Sequence, residues 1–480
     1  MNDVSAALCL SLLVVLNIIC LSTLVVIKRK RATLVTFQSL LVLVFWTSVP
    51  VSGVAHMIND DRGLGFYNLV DSLAGNVDFI RALLAATAGT IAICGTVSFM
   101  PSVSVTTGEV DGNLRALQVE QTNGTSLLLI GFGTMLLVPS VFSIIKIKTY
   151  AESTGMARVT LIEGGAAKYA FMSHWFAWAA TFIAVGFICL PRLRGTWFRS
   201  AISLIAIASI AWSLSWSGGR SVLVIMTLPL IVVVAGVLKR KTWVVALPVG
   251  LVLAYLSARA TSSRSEGYVN ESAFSTLSLL DWQWGRFSML GFGSRVVEDD
   301  GFLMGETLYA GLRTIPDAIA KLVLTEPVVT SARLSTAVTG EKLLGNADQR
   351  YIVPGLPAEL YMNFGIVGVF VGLAFLSYLV TRAERQFTTA THVADRIFWS
   401  YLCVVLIFCT IPAHSAAILN YLVFSGAPVL VLPVLSKLYR WWRGQGSRST
   451  NLALSSESEV SHASRIDFET NLSCPEEVLK

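Results

Sequence analysis

Ser5-Ala6-Ala7-Leu8-Cys9-Leu10-Ser11-Leu12-Leu13-Val14-Val15-Leu16-Asn17-Ile18-Ile19-Cys20-Leu21-Ser22-Thr23-Leu24-Val25-Val26-Ile27, followed at once by Lys28-Arg29-Lys30-Arg31, decides how this chain folds. The apolar run carries no charge and is longer than the about 20 residues a helix needs to cross hydrocarbon. It has no basic leader and outlasts the core of a secretory signal, so we expect a retained helix. The four basic residues behind it belong in the cytosol, which places the N-terminus outside.

Similar runs recur near 33–53, 80–100, 125–145, 170–190, 199–216, 221–238, 242–259, 356–380, 396–413 and 420–438. With 5–27 they make about eleven transmembrane helices. Basic groups then test the alternation. Lys28–Arg31, Arg192/Arg194/Arg199, Lys239-Arg240-Lys241, Arg382/Arg385 and Lys437/Arg440/Arg443 all fall on one side, which also makes the C-terminus cytoplasmic. The 101–124 loop, with Glu109, Asp111 and Glu120, is a mildly acidic exception on that side.

Composition agrees. Of 480 residues only 14% are charged and 54% are hydrophobic, where a soluble chain carries roughly a quarter charged residues. The seven cysteines lie in apolar runs or in the polar tail, so no outward disulfide framework is implied. The expected fold is an all-α polytopic membrane protein. Residues 1–259 hold helices one to eight, 260–355 a large outward loop, 356–443 the last three helices, and 444–480 a disordered cytoplasmic tail rich in Ser, Glu and Asn. Within the outward loop Leu308, Leu312, Ile315 and Ile319 repeat at helical spacing. They predict short amphipathic helices on the outer leaflet, broken near Pro316.

Chemistry gathers at the outer surface. The span centres carry almost no charge, and no paired broken helices are evident, which argues against a transporter. The outward loop holds Arg264, Arg286, Arg295, Arg313, Arg333 and Arg350 but only two lysines, and Arg220 closes the turn Ser217-Gly218-Gly219-Arg220-Ser221 on the same side. Guanidinium groups bind phosphate oxygens in a planar, bidentate fashion. Such a set is suited to a lipid pyrophosphate. The plainer reading pairs these arginines with loop carboxylates such as Glu298, Asp299 and Asp300.

The segment Glu359-Leu360-Tyr361-Met362-Asn363-Phe364-Gly365-Ile366-Val367-Gly368 begins a span. On one continuous helix Tyr361, Gly365, Gly368 and Gly372 share a stripe for close helix packing. Glu359 and Asn363 then share the other face and look into a polar cavity, or Glu359 merely caps the helix. His414, at the outer end of the tenth span, is a candidate proton acceptor, or simply a hydrogen-bonded helix terminus. No phosphate-binding glycine loop, zinc spacing or nucleophile elbow appears.

These features resemble the Wzy-type oligosaccharide repeat-unit polymerases, or O-antigen polymerases. The likeness covers the layout of nearly the whole chain and rests on three places. They are the Ser217–Arg220 turn, the stretch from Arg286 to Pro327 with Gly305-Glu306-Thr307-Leu308-Tyr309 and Ile315-Pro316, and the Glu-x-Tyr-x-Asn-Phe-Gly helix start at Glu359. Some members carry an outward Arg or His ahead of a Gly at fixed spacing. No loop arginine matches it, and His414 misses by one at Gly426.

The resemblance implies a glycosyltransferase of the bacterial inner membrane acting on undecaprenyl-pyrophosphate-linked oligosaccharide at the outer face. Arg220, with Arg286, Arg295 or Arg313, would bind the pyrophosphate, and Glu359, Glu306 or His414 would serve as the base. Membrane lipid and a chain-length regulator are the implied partners. Neither cofactor, metal nor nucleic acid is implied. An O-antigen ligase differs only in acceptor, and a polysaccharide flippase is the rival of another class.

Overall fold

The computed structural model describes residues 3–31, 36–58, 76–100, 123–154, 167–190, 196–217, 225–233, 286–312, 354–408 and 415–442. Every regular element among the described residues is helical. In chain order these are α1 (Asp3–Arg31), α2 (Phe37–Ser48), α3 (Pro50–Ile58), α4 (Asn76–Phe99), α5 (Asn123–Thr154), α6 (Ala167–Cys189), α7 (Thr196–Ser217), α8 (225–233), α9 (Phe287–Asp300), α10 (Glu306–Leu312), α11 (Leu356–Thr389), α12 (Val393–Phe408) and α13 (Ser415–Leu419). A π-helical turn, Asn420–Ser425, and α14 (Ala427–Trp442) complete the described residues. Residues Met1–Leu430 and Val431–Lys480 form two compact units.

Six described helices are long and apolar enough to cross a membrane: Ala6–Arg29, Phe37–Ala55, Asp78–Phe99, Gly124–Thr149, Met172–Cys189 and Leu356–Thr389. A seventh is the pair Ala417–Ser425 and Ala427–Trp442, bent by 49°. The protein is membrane-embedded and helical, as the apolar runs require when backbone groups must be satisfied inside each segment. These seven match the runs at 5–27, 33–53, 80–100, 125–145, 170–190, 356–380 and 420–438. The run at 199–216 falls in α7, and 396–413 is helical over Val393–Phe408. That at 221–238 is described only at 225–233. The run 242–259, most of the outward loop with Ile315, Pro316 and Ile319, and the tail 444–480 lie outside the described residues.

Small residues set the packing. Gly133 on α5 faces Ala179 and Ile183 of α6, and Gly186 on α6 faces Ser126 and Ile130 of α5. The two glycines let the backbones approach, and Phe132 stacks on Phe182 beside them, ring centroids 5.6 Å apart. On α4, Gly89 admits Leu373 and Phe45, so α2, α4 and α11 meet at one level. Hydroxyls in the apolar helices bond back to their own backbone. Thr90 donates to Ala86 O and Ser377 to Leu373 O, each at 2.8 Å.

The two ends of this cluster are distinct. At one end Thr36 and Ser39 form a capping box on α2, and the Glu384 carboxyl of α11 accepts the Gln38 N–H at 3.0 Å. At the other, Ser48 O accepts the Arg286 N–H at 2.6 Å, Gly53 packs on Phe287, and Asp78 accepts the Ser294 hydroxyl at 2.7 Å. α9 therefore lies at the end opposite Glu384. It packs into the bundle along one face. Phe287, Met289, Leu290, Phe292, Ser294 and Val296 are buried, with Gly291 against Asp78 and Gly293 against Ala358. The reason is the glycine pair, which narrows α9 enough to wedge it between α4 and α11.

α11 is not one straight helix. Gly365 has φ 65° and ψ −154°, far from helical values. A Cβ placed on Gly372 would sit 2.5 Å from Leu360 Cδ1, and one on Gly368 would sit 2.7 Å from Leu360 O. Residues twelve apart in an unbroken helix are separated by about 18 Å. The chain therefore turns back at Gly365, and the half-helix 356–364 lies alongside 366–389. This corrects the single stripe of Tyr361, Gly365, Gly368 and Gly372. Gly368 and Gly372 do permit close contact, but with their own chain folded back, and Gly365 is the turn.

Candidate functional site

The reversal at Gly365 leaves the last carbonyls of the half-helix without helical partners. Met362 O is met by the Leu303 N–H at 3.0 Å, which brings the segment after α9 onto the half-helix. That segment turns through three left-handed residues, Gly301, Met304 and Gly305, and delivers α10. Phe302 lies against Gly365, and Phe364 against Gly305. The turn and the half-helix interlock.

Asn363 holds the joint. It is fully buried, and its amide is saturated. Oδ1 accepts the Gly305 N–H at 2.8 Å, while Nδ2 donates to Thr307 Oγ1 at 2.6 Å and to Glu359 O at 2.7 Å. One helical turn earlier Glu359 is also fully buried. Its Oε2 accepts the Ser415 N–H at 2.7 Å and its Oε1 accepts the Ser415 hydroxyl at 2.8 Å. The Thr307 hydroxyl bonds to the same carboxyl. Glu359 thus caps the first turn of α13, not its own helix, and faces protein donors where a polar cavity was expected. Three segments distant in sequence meet in this hub.

The other site residues chosen from sequence divide as follows. Glu306 opens α10 with an exposed side chain, between Gly305 and Thr307, which both bond to Asn363. Arg286 and Arg295 flank and belong to α9, both half-buried, at the same end of the bundle as the hub. Arg220, Arg313 and His414 lie outside the described residues, though Ser415, which follows His414, is part of the hub. Glu298, exposed with its acidic neighbours Asp299 and Asp300, pairs with Arg81 of α4 at 3.1 Å.

Several participants escaped the sequence reading. Thr307 and Ser415 are ordinary polar residues until folding brings Glu359 between them. Asp78 and Arg81 had a usable signal, since two charges three apart at the start of an apolar run share a helix face. Asp78 accepts from Ser294, and both charges lie within electrostatic range of Tyr361.

A second break corrects the expectation that broken helices are absent. The π turn Asn420–Ser425 ends at Gly426, where a Cβ would overlap Tyr401 and Leu422 O. Carbonyls loosened by the turn take side-chain donors: Trp175 Nε1 to Phe424 O and Trp178 Nε1 to Ser425 O, both 2.8 Å, and the Tyr401 hydroxyl to Tyr421 O. His174 Nδ1 lies 2.8 Å from Ser425 Oγ, and its ring stacks on Tyr421. The two breaks are joined through α13, which Glu359 grips at Ser415.

No protein-family model, curated protein or solved structure matches this chain. Fold and site together define a class: a helical, membrane-embedded protein with a buried polar hub on a half-helix that doubles back on its span.

Proposed function

We propose that this protein is a polysaccharide polymerase of the bacterial inner membrane, with about eleven spans and residues 260–355 on the outer side. It transfers a growing glycan from its lipid pyrophosphate onto the hydroxyl of a new lipid-linked repeat unit. The observation that carries the proposal is the convergence at the hub. The Gly305–Tyr309 stretch and the Glu359–Gly368 helix start, which both carry the family resemblance, share one hydrogen-bonded cluster, and Ser415, next to His414 in sequence, joins it.

Pyrophosphate is a good leaving group, so its departure needs charge stabilisation more than a proton. Arg286 and Arg295, near the hub end, with Arg220 and Arg313 supply guanidinium for that purpose. Proton removal from the attacking hydroxyl falls to Glu306 or His414. Holding both lipid-linked substrates in line supplies much of the remaining acceleration.

Purified protein in lipid nanodiscs, given an undecaprenyl-pyrophosphate-linked repeat unit, tests the proposal. Longer lipid-linked ladders are the expected product, and Arg220→Ala and Glu306→Gln should lose them while the protein remains inserted. Transfer to a different lipid acceptor would make the protein a ligase.

A transporter is the second reading, favoured by the breaks at Gly365 and Gly426, since broken helices commonly build translocation sites. Movement of the lipid-linked unit across vesicles without chain lengthening would establish it instead.

A further inference from the structure

Glu359 drew attention as a base, yet its surroundings leave a substrate hydroxyl no approach. The residue is fully buried, both carboxyl oxygens accept from Ser415, and the Thr307 hydroxyl adds a third donor. What these bonds do is mechanical. They fasten the head of α13 and the start of α10 to the doubled-back half-helix, while Asn363 fastens the turn ahead of α10. At its other end the 415–425 segment is fixed by Trp175, Trp178 and Tyr401. A strut held at both ends has one released position if Glu359 lets go.

We infer that Glu359 is a positioning residue: it ties Ser415 and Thr307 together, and through them sets Glu306 and the head of α13 relative to each other. The activity arm of this inference rests on the polymerase proposal; the structural arm does not.

Glutamine separates the two roles. Its Oε1 can still accept the Ser415 N–H, and its amide can donate to the Ser415 hydroxyl oxygen, but it cannot act as a base at that position. Hydrogen exchange on the full chain in nanodiscs reads the tie directly at the Ser415 amide. Glu359→Ala should speed its exchange about fivefold or more, as expected when a buried donor loses its acceptor. Glu359→Gln should stay within about threefold of the wild type on the same grounds.

In the chain-lengthening assay Glu359→Ala should lower kcat with little change in KM, and Glu359→Gln should rescue it with the wild-type pH profile. If Glu359→Ala fails to insert, Ser415→Ala, which deletes only the hydroxyl donor, takes its place with a smaller effect in the same direction. Unchanged exchange at Ser415 in Glu359→Ala would overturn the tie. Intact protection with lengthening abolished in Glu359→Gln would make Glu359 the base. Absence of lengthening by the wild type would remove the polymerase proposal, and the exchange result would still decide the tie.

Discussion

Replacing Gly365 by alanine tests the reversal of α11, because the two geometries predict opposite signs. In a continuous helix alanine is the better residue, and the change would stabilise by about 1 kcal/mol. At φ 65° and ψ −154° the backbone occupies a region nearly exclusive to glycine. An L side chain there costs of order 1–3 kcal/mol. The added Cβ would also lie 3.0 Å from Phe302 Cε1. That ring is 47% exposed and free to shift, so the backbone dominates the cost. A loss of 1–3 kcal/mol corresponds to roughly a five- to 150-fold shift in the equilibrium between turned and released half-helix. Unfolding in mixed micelles by added detergent gives the sign. Exchange at the Ser415 amide shows whether Glu359 has moved with the half-helix. Gly95→Ala is the control, since nothing lies within 4 Å of a Cβ there. A Gly365→Ala protein as stable as the control variant, with Ser415 still protected, would refute the reversal.

Four further outcomes are expected. Gly133→Ala should destabilise by about 1–3 kcal/mol, because its Cβ would meet the immovable Ala179 O at 2.9 Å. Gly131→Ala, with open space around it, should be neutral or stabilising in the same unfolding assay. A membrane-permeant oxidant should join Cys20 and Cys94, whose sulfurs lie 3.9 Å apart between α1 and α4, with loss of two labelled thiols by mass. No loss of thiol would place α1 elsewhere. Glu298→Gln should change stability by under about 1 kcal/mol, since its pair with Arg81 is 36% and 58% exposed and screened. A larger effect in denaturation would mean that Glu298 supports more than this pair.

Sequence carried the membrane character and most helix positions. Apolar runs such as 5–27 and 125–145 are apolar throughout with nothing else to become in hydrocarbon, so length and composition suffice. It also picked out Glu359, Asn363, Gly365, Gly368 and Gly372 as a meaningful group. Their geometry is not legible there, because a glycine that reverses a helix and one that packs inside a helix look alike in one dimension. Gly291 and Gly293 show the same limit. Nothing local marks them as packing positions, and only the partners α4 and α11 make their stretch a buried wedge.

Thus the alternation of apolar and basic segments determined by itself that the chain is a helical membrane protein, since burial in hydrocarbon depends on local composition. Tertiary structure alone decided that Glu359 meets Ser415, fifty-six residues later, that Asn363 meets Gly305 and Thr307, and that two helices are broken. Hydrogen bonds between distant segments depend on which surfaces come together, and no local pattern encodes that choice.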